Sequence, residues 1–389
     1  MNILIDFIPF QHPRGVGGAF SFAKAVYDRL LYMANGKHSF WGIYDSRKGV
    51  AQQYDLHSYA ESHRVVLLDI SRISVSEMVR QKKISVLFIA FGQFYKNYDL
   101  SDITCKTIMF IHDIFDIERC NNRVDMCICD DEVESRWKRM KRMANVVTGR
   151  YGRQASDTYN RVMPLYSSEN TIAYTVSDYT ANALKYYFPE LRKVRVCYSP
   201  LRKVPLSGNI GNEALKRLIV DGKPYLFMVS ANRIYKNAAI LSQVYKQLCR
   251  HGYEVRLLTL KYGKIIGPLH TDLDFLTDYE MEQAYKHALA LVYPSFFEGF
   301  GYPPIEALEH GTPTIASNVT SIPEILGDAG VYFSPFYPAD LFSAICRVLD
   351  NPDLKKNEII IRKKEIEKRQ EKDLRLLINE ILSDQTNNK

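Results

Sequence analysis

Short apolar runs rich in β-branched and aromatic residues alternate along the chain with stretches of helical character. In the first half these runs cover residues 2–8, 65–70, 85–91, 107–113, 171–177 and 194–200. In the second half they cover residues 225–231, 254–260, 290–295, 312–317 and 331–335. Near-continuous apolar strands separated by helices are typical of parallel sheets covered on both faces. Two such series predict an α/β protein with two doubly wound, Rossmann-like domains.

The segment between the two series, residues 200–214, has the composition of a linker. It contains two prolines and two glycines among polar residues, which favours a break between domains. A chain of 389 residues is also long for one core and suits two domains. We therefore predict a first domain at 1–200 and a second at 201–389, which ends in one or two helices after Leu354.

The composition and charge are those of an ordinary soluble globular protein. No apolar run approaches the roughly 18 to 20 residues that a membrane span needs, and the first residues lack a basic region. We therefore expect a cytoplasmic location. The seven cysteines are an odd and scattered set, which favours reduced thiols over a disulfide framework. The net charge of +7 is compatible with anionic small molecules, anionic lipid or nucleic acid and does not decide among them.

One segment, RWKRMKR at residues 136–142, carries five basic residues beside Trp137 and Met140. Two interpretations fit this composition. A basic amphipathic helix can lie on an anionic membrane surface, and a solvated helix face has the same pattern.

The first candidate site lies at residues 296–308, FFEGFGYPPIEAL, directly after an apolar run. We expect Glu298 in a loop at the carboxyl end of a strand. Pro303 and Pro304 then begin a helix, and Glu306 lies in its first turn. The glycines permit close approach of a ligand, the helix start suits phosphate, and the carboxylates can accept hydrogen bonds from paired hydroxyls. The segment predicts a site for a sugar joined to a phosphate, and a capping glutamate on a plain turn is the alternative.

Two further loops suit phosphate. Arg233 and Lys236 follow the first apolar run of the second half and are spaced to clamp a diphosphate. Gly15, Gly17 and Gly18 form a glycine-rich turn between the first apolar run and a helix, although they do not match G-x-G-x-x-G.

Two strand ends in the first half carry polar residues. His112 and Asp113 end one apolar run, and a single histidine at such a place is more often structural than functional. Ser177 or Asp178 follows another run and is predicted to cap a helix.

The sequence of residues 293–335, YPSFFEGFGYPPIEALEHGTPTIASNVTSIPEILGDAGVYFSP, resembles the signature region of the family-4 retaining glycosyltransferases, also called group 1. Arg233, Lys236 and Asn237 match the diphosphate-binding element of that family. The segment 276–295 is similar to the part of the family that holds the nucleotide base. The resemblance is strong over 225–345 and weak before residue 200, and it implies the GT-B fold, in which two Rossmann-like domains face each other across a cleft.

The resemblance also implies roles for single residues. The residue that matches Glu298 contacts the transferred sugar, assisted by the backbone amides of Phe300, Gly301 and Tyr302. The residue that matches Glu306 holds the ribose hydroxyls.

The remaining roles concern the diphosphate and the reaction centre. Arg233 and Lys236 neutralise the diphosphate leaving group, His112 approaches the sugar, and Gly17 and Gly18 face the phosphates. No metal or other cofactor is expected, because the two cations stabilise the charge that a metal would otherwise stabilise.

The function that the resemblance implies is retaining transfer of a hexose from a nucleotide diphosphate sugar to a glycan or lipid-linked saccharide, in cell-surface polysaccharide synthesis. The expected partners are these substrates and an anionic membrane at its inner face, with no nucleic acid. The stretch between His112 and Ser177, on the acceptor side, departs from the family pattern and leaves the acceptor open. The alternative is a catalytically inactive GT-B subunit that binds nucleotide sugar or scaffolds a membrane assembly.

Overall fold

A computed structural model describes residues 1–11, 18–49, 55–95, 97–121, 136–191, 193–201 and 207–383. The chain divides into two compact units. The first comprises Met1–Ile114, Arg153–Arg202 and Arg369–Lys389, and the second comprises Phe115–Gly152 and Lys203–Lys368.

The first unit is built on a seven-stranded sheet. Its strands are β1 (Asn2–Asp6), β2 (Ser39–Tyr44), β3 (Val65–Asp69), β4 (Val86–Ile89), β5 (Lys106–Ile111), β6 (Thr171–Thr175) and β7 (Val194–Val196). All neighbours pair in parallel, in the order β3-β2-β1-β4-β5-β6-β7. Its helices are α1 (Gly18–Ala34), α2 (Leu56–Ser62), α3 (Val75–Gln81), most of α6 (Arg150–Tyr166) and α7 (Asp178–Tyr187).

The second unit contains a six-stranded sheet. Its strands are β8 (Tyr225–Met228), β9 (Arg256–Leu260), β10 (His270–Leu273), β11 (Ala290–Tyr293), β12 (Thr314–Ser317) and β13 (Gly330–Phe333). They are also parallel, in the order β10-β9-β8-β11-β12-β13. The helices are α4 (Phe115–Asn121), α5 (Arg136–Val147), α8 (Glu213–Val220), α9 (Ala238–Arg250), α10 (Asp278–Lys286), α11 (Tyr302–Glu309), α12 (Ile322–Leu326), α13 (Pro338–Asp350) and the start of α14 (Lys356–Leu382).

The two sheets share one topology. In each, the strand order reverses beside the first strand of the sheet, between β1 and β4 in one and between β8 and β11 in the other. Such a reversal opens a crevice at the carboxyl ends of the two strands, where doubly wound proteins bind ligands. The predicted α/β architecture with two doubly wound sheets is confirmed.

The central strands are buried because both faces of the sheet are covered. In β8, Leu226 and Met228 pack in one hydrophobic cluster while Tyr225 and Phe227 pack in another. Side chains alternate between the faces of a strand, so the two clusters lie on opposite faces. This explains why the strands of the sequence form continuous apolar runs.

Two strands were absent from the sequence prediction, β2 and β10. In β2 the apolar run is interrupted by Gly42, where a Cβ atom would lie 2.4 Å from the Phe7 ring. In β10 the pattern is polar because this edge strand carries His270 and Asp272. Both bond to the Thr259 hydroxyl of the neighbouring strand, at 2.8 and 2.6 Å. The apolar pattern is therefore interrupted in β2 by a glycine required for close packing, and it is absent in β10 because that strand lies at the edge of the sheet.

The predicted boundary near residue 200 differs from the structure at two segments. The tail, assigned to the second domain from the sequence, forms one continuous helix, α14, and its residues from Arg369 onward belong to the first unit. There Gln370 donates to the Ser199 carbonyl at 2.6 Å and Glu380 pairs with Lys106 at 2.7 Å. The segment Phe115–Gly152, expected on the acceptor side, is grouped with the second unit. An amphipathic pattern shows that one face of a helix is buried, but it does not show which domain covers that face.

A buried carboxyl group lies at the carboxyl end of β1. Asp6 is fully buried, and its Oδ1 accepts hydrogen bonds from the Ile8 amide at 2.8 Å and the Tyr95 hydroxyl at 2.7 Å. Burial raises the pKa of Asp6 from its ordinary value to about 7, and these hydrogen bonds oppose the shift only in part. The stability that Asp6 contributes is therefore fully present below about pH 4 and is lost as the pH rises through about 7.

Asp6→Asn keeps the Oδ1 acceptor but cannot ionise. We expect the unfolding free energy of the variant, relative to the wild type, to rise by about 2–3 kcal/mol between pH 5 and pH 8. Urea unfolding at the two pH values measures this difference, with the exposed Asp102→Asn as control. A difference that is constant with pH would contradict the buried, ionisable carboxyl group.

Candidate functional site

The candidate site of the second unit lies at the carboxyl ends of β8 and β11. The loop after β8 contains a single-turn 3₁₀ helix, Ile234–Lys236, and the loop after β11 contains Glu298. A backbone hydrogen bond from the Phe296 amide to the Tyr235 carbonyl, 2.8 Å long, joins the two loops. Because β8 and β11 are neighbours, side chains that are far apart in sequence meet here.

The centre of the site is an ion pair. Lys236 Nζ lies 2.6 Å from Glu298 Oε1, and the two side chains are only 6% and 11% exposed. The same Nζ donates to the Tyr293 hydroxyl at 2.8 Å. Burial lowers the pKa of Lys236, and the negative charge of Glu298 opposes that shift. The sequence predicted both charged residues for the site, but not their contact.

Arg233 and Asn237 lie in the same loop as Lys236 and differ in burial and in hydrogen bonding. Arg233 is exposed, and its Nη1 donates to the Tyr235 hydroxyl at 2.9 Å. Asn237 is buried in the left-handed backbone region, with φ of 56°, and its amide donates to the Pro335 carbonyl at 3.1 Å. Asn237 therefore fixes the loop, whereas Arg233 presents a charge to solvent.

The loop that carries Glu298 is held by two hydroxyls. The Glu298 amide donates to Thr320 Oγ1 at 3.1 Å, and Ser321 Oγ donates to the carbonyls of Glu298 and Phe300 at 2.9 and 3.2 Å. Gly301 then turns the chain into α11 with φ of 99°, in the region that favours glycine. The sequence analysis gave no role to Thr320 and Ser321, since hydroxyl residues in a loop look like ordinary turn residues.

The start of α11 contains the three residues whose backbone amides are predicted to donate to the sugar, which are Phe300, Gly301 and Tyr302. Pro303 and Pro304 follow within the helix and have no N–H group. Backbone donation to a ligand at this helix end therefore depends on the residues that precede the prolines.

The second carboxylate lies in α11. The helix begins at Tyr302, so Glu306 is in its second turn and not in the first turn as predicted. Glu306 Oε2 accepts a hydrogen bond of 2.6 Å from the hydroxyl of Tyr285, which is buried. The backbone carbonyl of Tyr285 in turn accepts from Thr312 Oγ1 at 2.8 Å. A buried tyrosine of an amphipathic helix looks like any core residue, so the sequence gave no signal for this contact.

His112 lies in the first unit, just after β5. Its Nε2 is 2.8 Å from the Ala90 carbonyl, and its ring stacks on Phe91 with centroids 4.6 Å apart. A carbonyl oxygen only accepts, so Nε2 carries the proton. Burial lowers the pKa of His112 to about 4, so at neutral pH the ring is neutral and Nδ1 is an acceptor.

The glycine-rich turn and the helix cap that were predicted in the first unit compare with the structure as follows. Gly18 is the first residue of α1, and Gly15 and Gly17 lie outside the described residues. Ser177 caps α7, as predicted, by accepting a hydrogen bond of 3.1 Å from the Thr180 amide.

Comparisons with known proteins show what the chain is similar to. Residues 223–351 match a family model described as "Glycosyl transferases group 1". The O-antigen chain mannosyltransferase B of Escherichia coli is 48% identical over 63 residues, which is 16% of either chain. The O-antigen chain mannosyltransferase RfbU of Salmonella typhimurium is 29% identical over 186 residues, 47% of this chain and 51% of that protein. The match therefore spans less than two thirds of either relative.

Solved structures are similar over nearly the whole chain. A glycosyltransferase from Rickettsia africae has a TM-score of 0.62 at 13% identity and 99% coverage of both chains. Anabaena Alr3699/HepE in complex with UDP and glucose has a TM-score of 0.61 at 14% identity and 98% coverage of both. The chain thus has the GT-B fold, and its residues 223–351 are similar to the group 1 glycosyltransferases, so the resemblance inferred from the sequence is confirmed.

The buried ion pair makes a prediction about stability. Lys236→Met leaves Glu298 without its cation, and Glu298→Gln leaves a buried lysine without its counter-ion. Each should lower the unfolding free energy by about 3–5 kcal/mol, and the double variant should recover most of that loss. Urea unfolding of the three variants measures the coupling.

Lys356→Met is the matched control, because Lys356 pairs with Asp353 at 3.1 Å and the two side chains are 67% and 77% exposed. Loss of this surface pair should cost about 1 kcal/mol or less. Equal costs for the control and for Lys236→Met would contradict the buried pairing.

Proposed function

We propose that the protein is a configuration-retaining, metal-independent hexosyltransferase that uses a nucleotide diphosphate sugar. The proposal rests chiefly on the charged cluster at the β8/β11 reversal, where Lys236 pairs with Glu298 and also feels the charge of Glu306, within the segment that matches the group 1 glycosyltransferase model. Its relatives are O-antigen mannosyltransferases, so we propose mannose as the hexose. The proposed acceptor is a glycan or lipid-linked saccharide in cell-surface polysaccharide synthesis.

Each charged group has a role that its chemistry suits. Arg233, exposed at the loop surface, and Lys236 bind the two phosphates, since a diphosphate needs cations on both groups. Glu298 accepts hydrogen bonds from hydroxyls of the sugar, and Glu306 accepts them from the ribose. Phe300, Gly301 and Tyr302 form the turn against which the sugar packs, and Asn237 holds the loop of the cations.

The transfer step breaks the bond between the anomeric carbon and the diphosphate oxygen. The acceptor hydroxyl forms its bond to that carbon on the same face, and its proton passes to a diphosphate oxygen. Negative charge grows on the leaving diphosphate, where Arg233 and Lys236 stabilise it, so no metal is required for that purpose. His112, neutral with Nδ1 as acceptor, accepts a hydrogen bond from a substrate hydroxyl.

Nucleotide release from a panel of UDP-, GDP-, ADP- and dTDP-sugars tests the proposal. One donor, which we expect to be GDP-mannose, should be hydrolysed slowly without acceptor. Glu306→Ala should raise its apparent KM about tenfold or more, because a hydrogen bond to a charged group is lost. The described part of the chain offers Glu324→Ala as an acidic control on α12.

Two results would contradict the proposal. Turnover of a donor with unchanged KM in Glu306→Ala would remove the assigned role of that carboxylate. Absence of both turnover and thermal stabilisation across the panel would favour the inactive subunit.

The exposed face of α5 supports contact with an anionic membrane surface, which we propose as part of this function. Trp137, Met140 and Val147 recur at helical spacing and are 70%, 63% and 78% exposed. Lys141 lies beside them, with Nζ 5.5 Å from the centre of the Trp137 ring. Among the described helices none is long and apolar enough to cross a bilayer. Apolar side chains bordered by basic ones match the interface of an anionic bilayer, where lipid-linked acceptors reside.

Charge reversal tests this contact. The wild type should bind vesicles of phosphatidylcholine mixed with phosphatidylglycerol, and not phosphatidylcholine alone. Arg139→Glu/Lys141→Glu should weaken binding at least about tenfold, since each basic residue contributes on the order of 1 kcal/mol. Lys364→Glu/Lys368→Glu on α14 changes the net charge equally and should keep binding. Equal binding by both double variants would favour the solvated-face interpretation.

A further inference from the structure

Tyr293 occupies a position between the two charges of the site. It is the last residue of β11 and is buried, in a cluster with Tyr285 and Ala307. Its hydroxyl accepts the 2.8 Å hydrogen bond from Lys236, and the same Nζ lies 4.4 Å from the centre of its ring. Strand and core packing fix this side chain, whereas Lys236 and Glu298 lie on loops.

The charge of Glu298 acts on the Tyr293 hydroxyl as well. Burial, and next the charge of Glu298, raise the pKa of Tyr293 well above its ordinary value, so the hydroxyl keeps its proton. Because its oxygen accepts from Lys236, the hydroxyl still has a proton that it can donate. One neutral group can thus serve a cation and an anion at once.

Both charges must change partners if a donor sugar binds here. Lys236 turns toward the diphosphate, and Glu298 turns toward the sugar hydroxyls. A buried lysine that loses its carboxylate needs another acceptor, since unpaired buried polar groups are costly. Tyr293 is the acceptor already in contact with Lys236, and it does not need to move.

We propose that Tyr293 is a positioning residue for the transfer step, which keeps Lys236 directed at the leaving diphosphate while Glu298 engages the sugar. This inference rests on the proposed function. Charge on the diphosphate grows as the bond to the sugar breaks, so a well-directed cation matters more in the transition state than in the bound donor. The effect of Tyr293 should therefore fall on kcat more than on KM.

Tyr293→Phe in the full chain tests the proposal, because it keeps the ring and removes the hydroxyl. With GDP-mannose as the donor, we expect kcat for donor turnover to fall about 10- to 100-fold, and KM to change less than about threefold. The basic limb of the kcat profile should move to lower pH. The shift is toward lower pH because the variant loses a hydrogen-bond acceptor that stabilises the charged form of Lys236, which lowers the pKa of that lysine. The other charged groups facing Lys236, which are Glu298, Arg233 and Glu306, are unchanged in this variant.

Tyr225→Phe is the matched control. Tyr225 is a buried tyrosine on the adjacent strand β8, and its hydroxyl donates to the Ala284 carbonyl at 2.6 Å, away from the charges. It should lower the melting temperature at least as much as Tyr293→Phe and leave kcat and its pH profile unchanged.

The outcomes separate this inference from the proposed function. Wild-type turnover with a Tyr293→Phe variant that matches the wild type in kcat and in the basic limb would overturn the role of Tyr293 alone. Parallel losses of kcat in both phenylalanine variants would make the effect structural and would also overturn it. No donor turnover by the wild type would overturn the proposed function, and this inference with it.

Discussion

The second unit is organised around one buried contact, the ion pair of Lys236 and Glu298. Removing two charges from water is costly, and a pair of hydrophobic residues would stabilise the fold as well or better. The pair is understandable if its two members serve a ligand that carries complementary charge and hydroxyl groups. In the structure each charge neutralises the other at 2.6 Å, and the Tyr293 hydroxyl accepts a hydrogen bond from Lys236.

The remaining features of the site hold this pair in place. The reversal of strand order makes β8 and β11 neighbours, and their loops are joined by the backbone bond from Phe296 to Tyr235. Side chains then fix each loop from behind, Asn237 in one and Ser321 in the other. The two loops are therefore positioned by hydrogen bonds to their backbone, and the charged side chains of Lys236 and Glu298 remain available to change partners. This arrangement is typical of sites in which precise geometry and electrostatic stabilisation provide the catalysis.

Much of the fold and the charged residues of the site were predictable from the sequence. Continuous apolar runs indicate buried parallel strands whatever their order. Arg233, Lys236, Glu298 and Glu306 stand out because they form two closely spaced pairs of like charge in the segments after two of these runs. The tyrosine contacts were not predictable, because the sequence shows at most that Tyr285 in α10 and Tyr293 in β11 are buried, and not which group each hydroxyl contacts. The strand β10 was missed because its polar residues bond along the sheet edge. The docking of the tail from Arg369 onward depends on long-range partners such as Ser199 and Lys106, which an amphipathic pattern does not identify.

The most direct measurement is a crystal structure of the chain with GDP-mannose bound. We expect the diphosphate within hydrogen-bond distance of Arg233 and Lys236, and the ribose hydroxyls on Glu306. The Lys236–Glu298 separation should increase from 2.6 Å to a distance beyond salt-bridge range, with Lys236 still bonded to Tyr293. A nucleotide bound elsewhere, with the ion pair intact, would contradict the assigned roles of these residues.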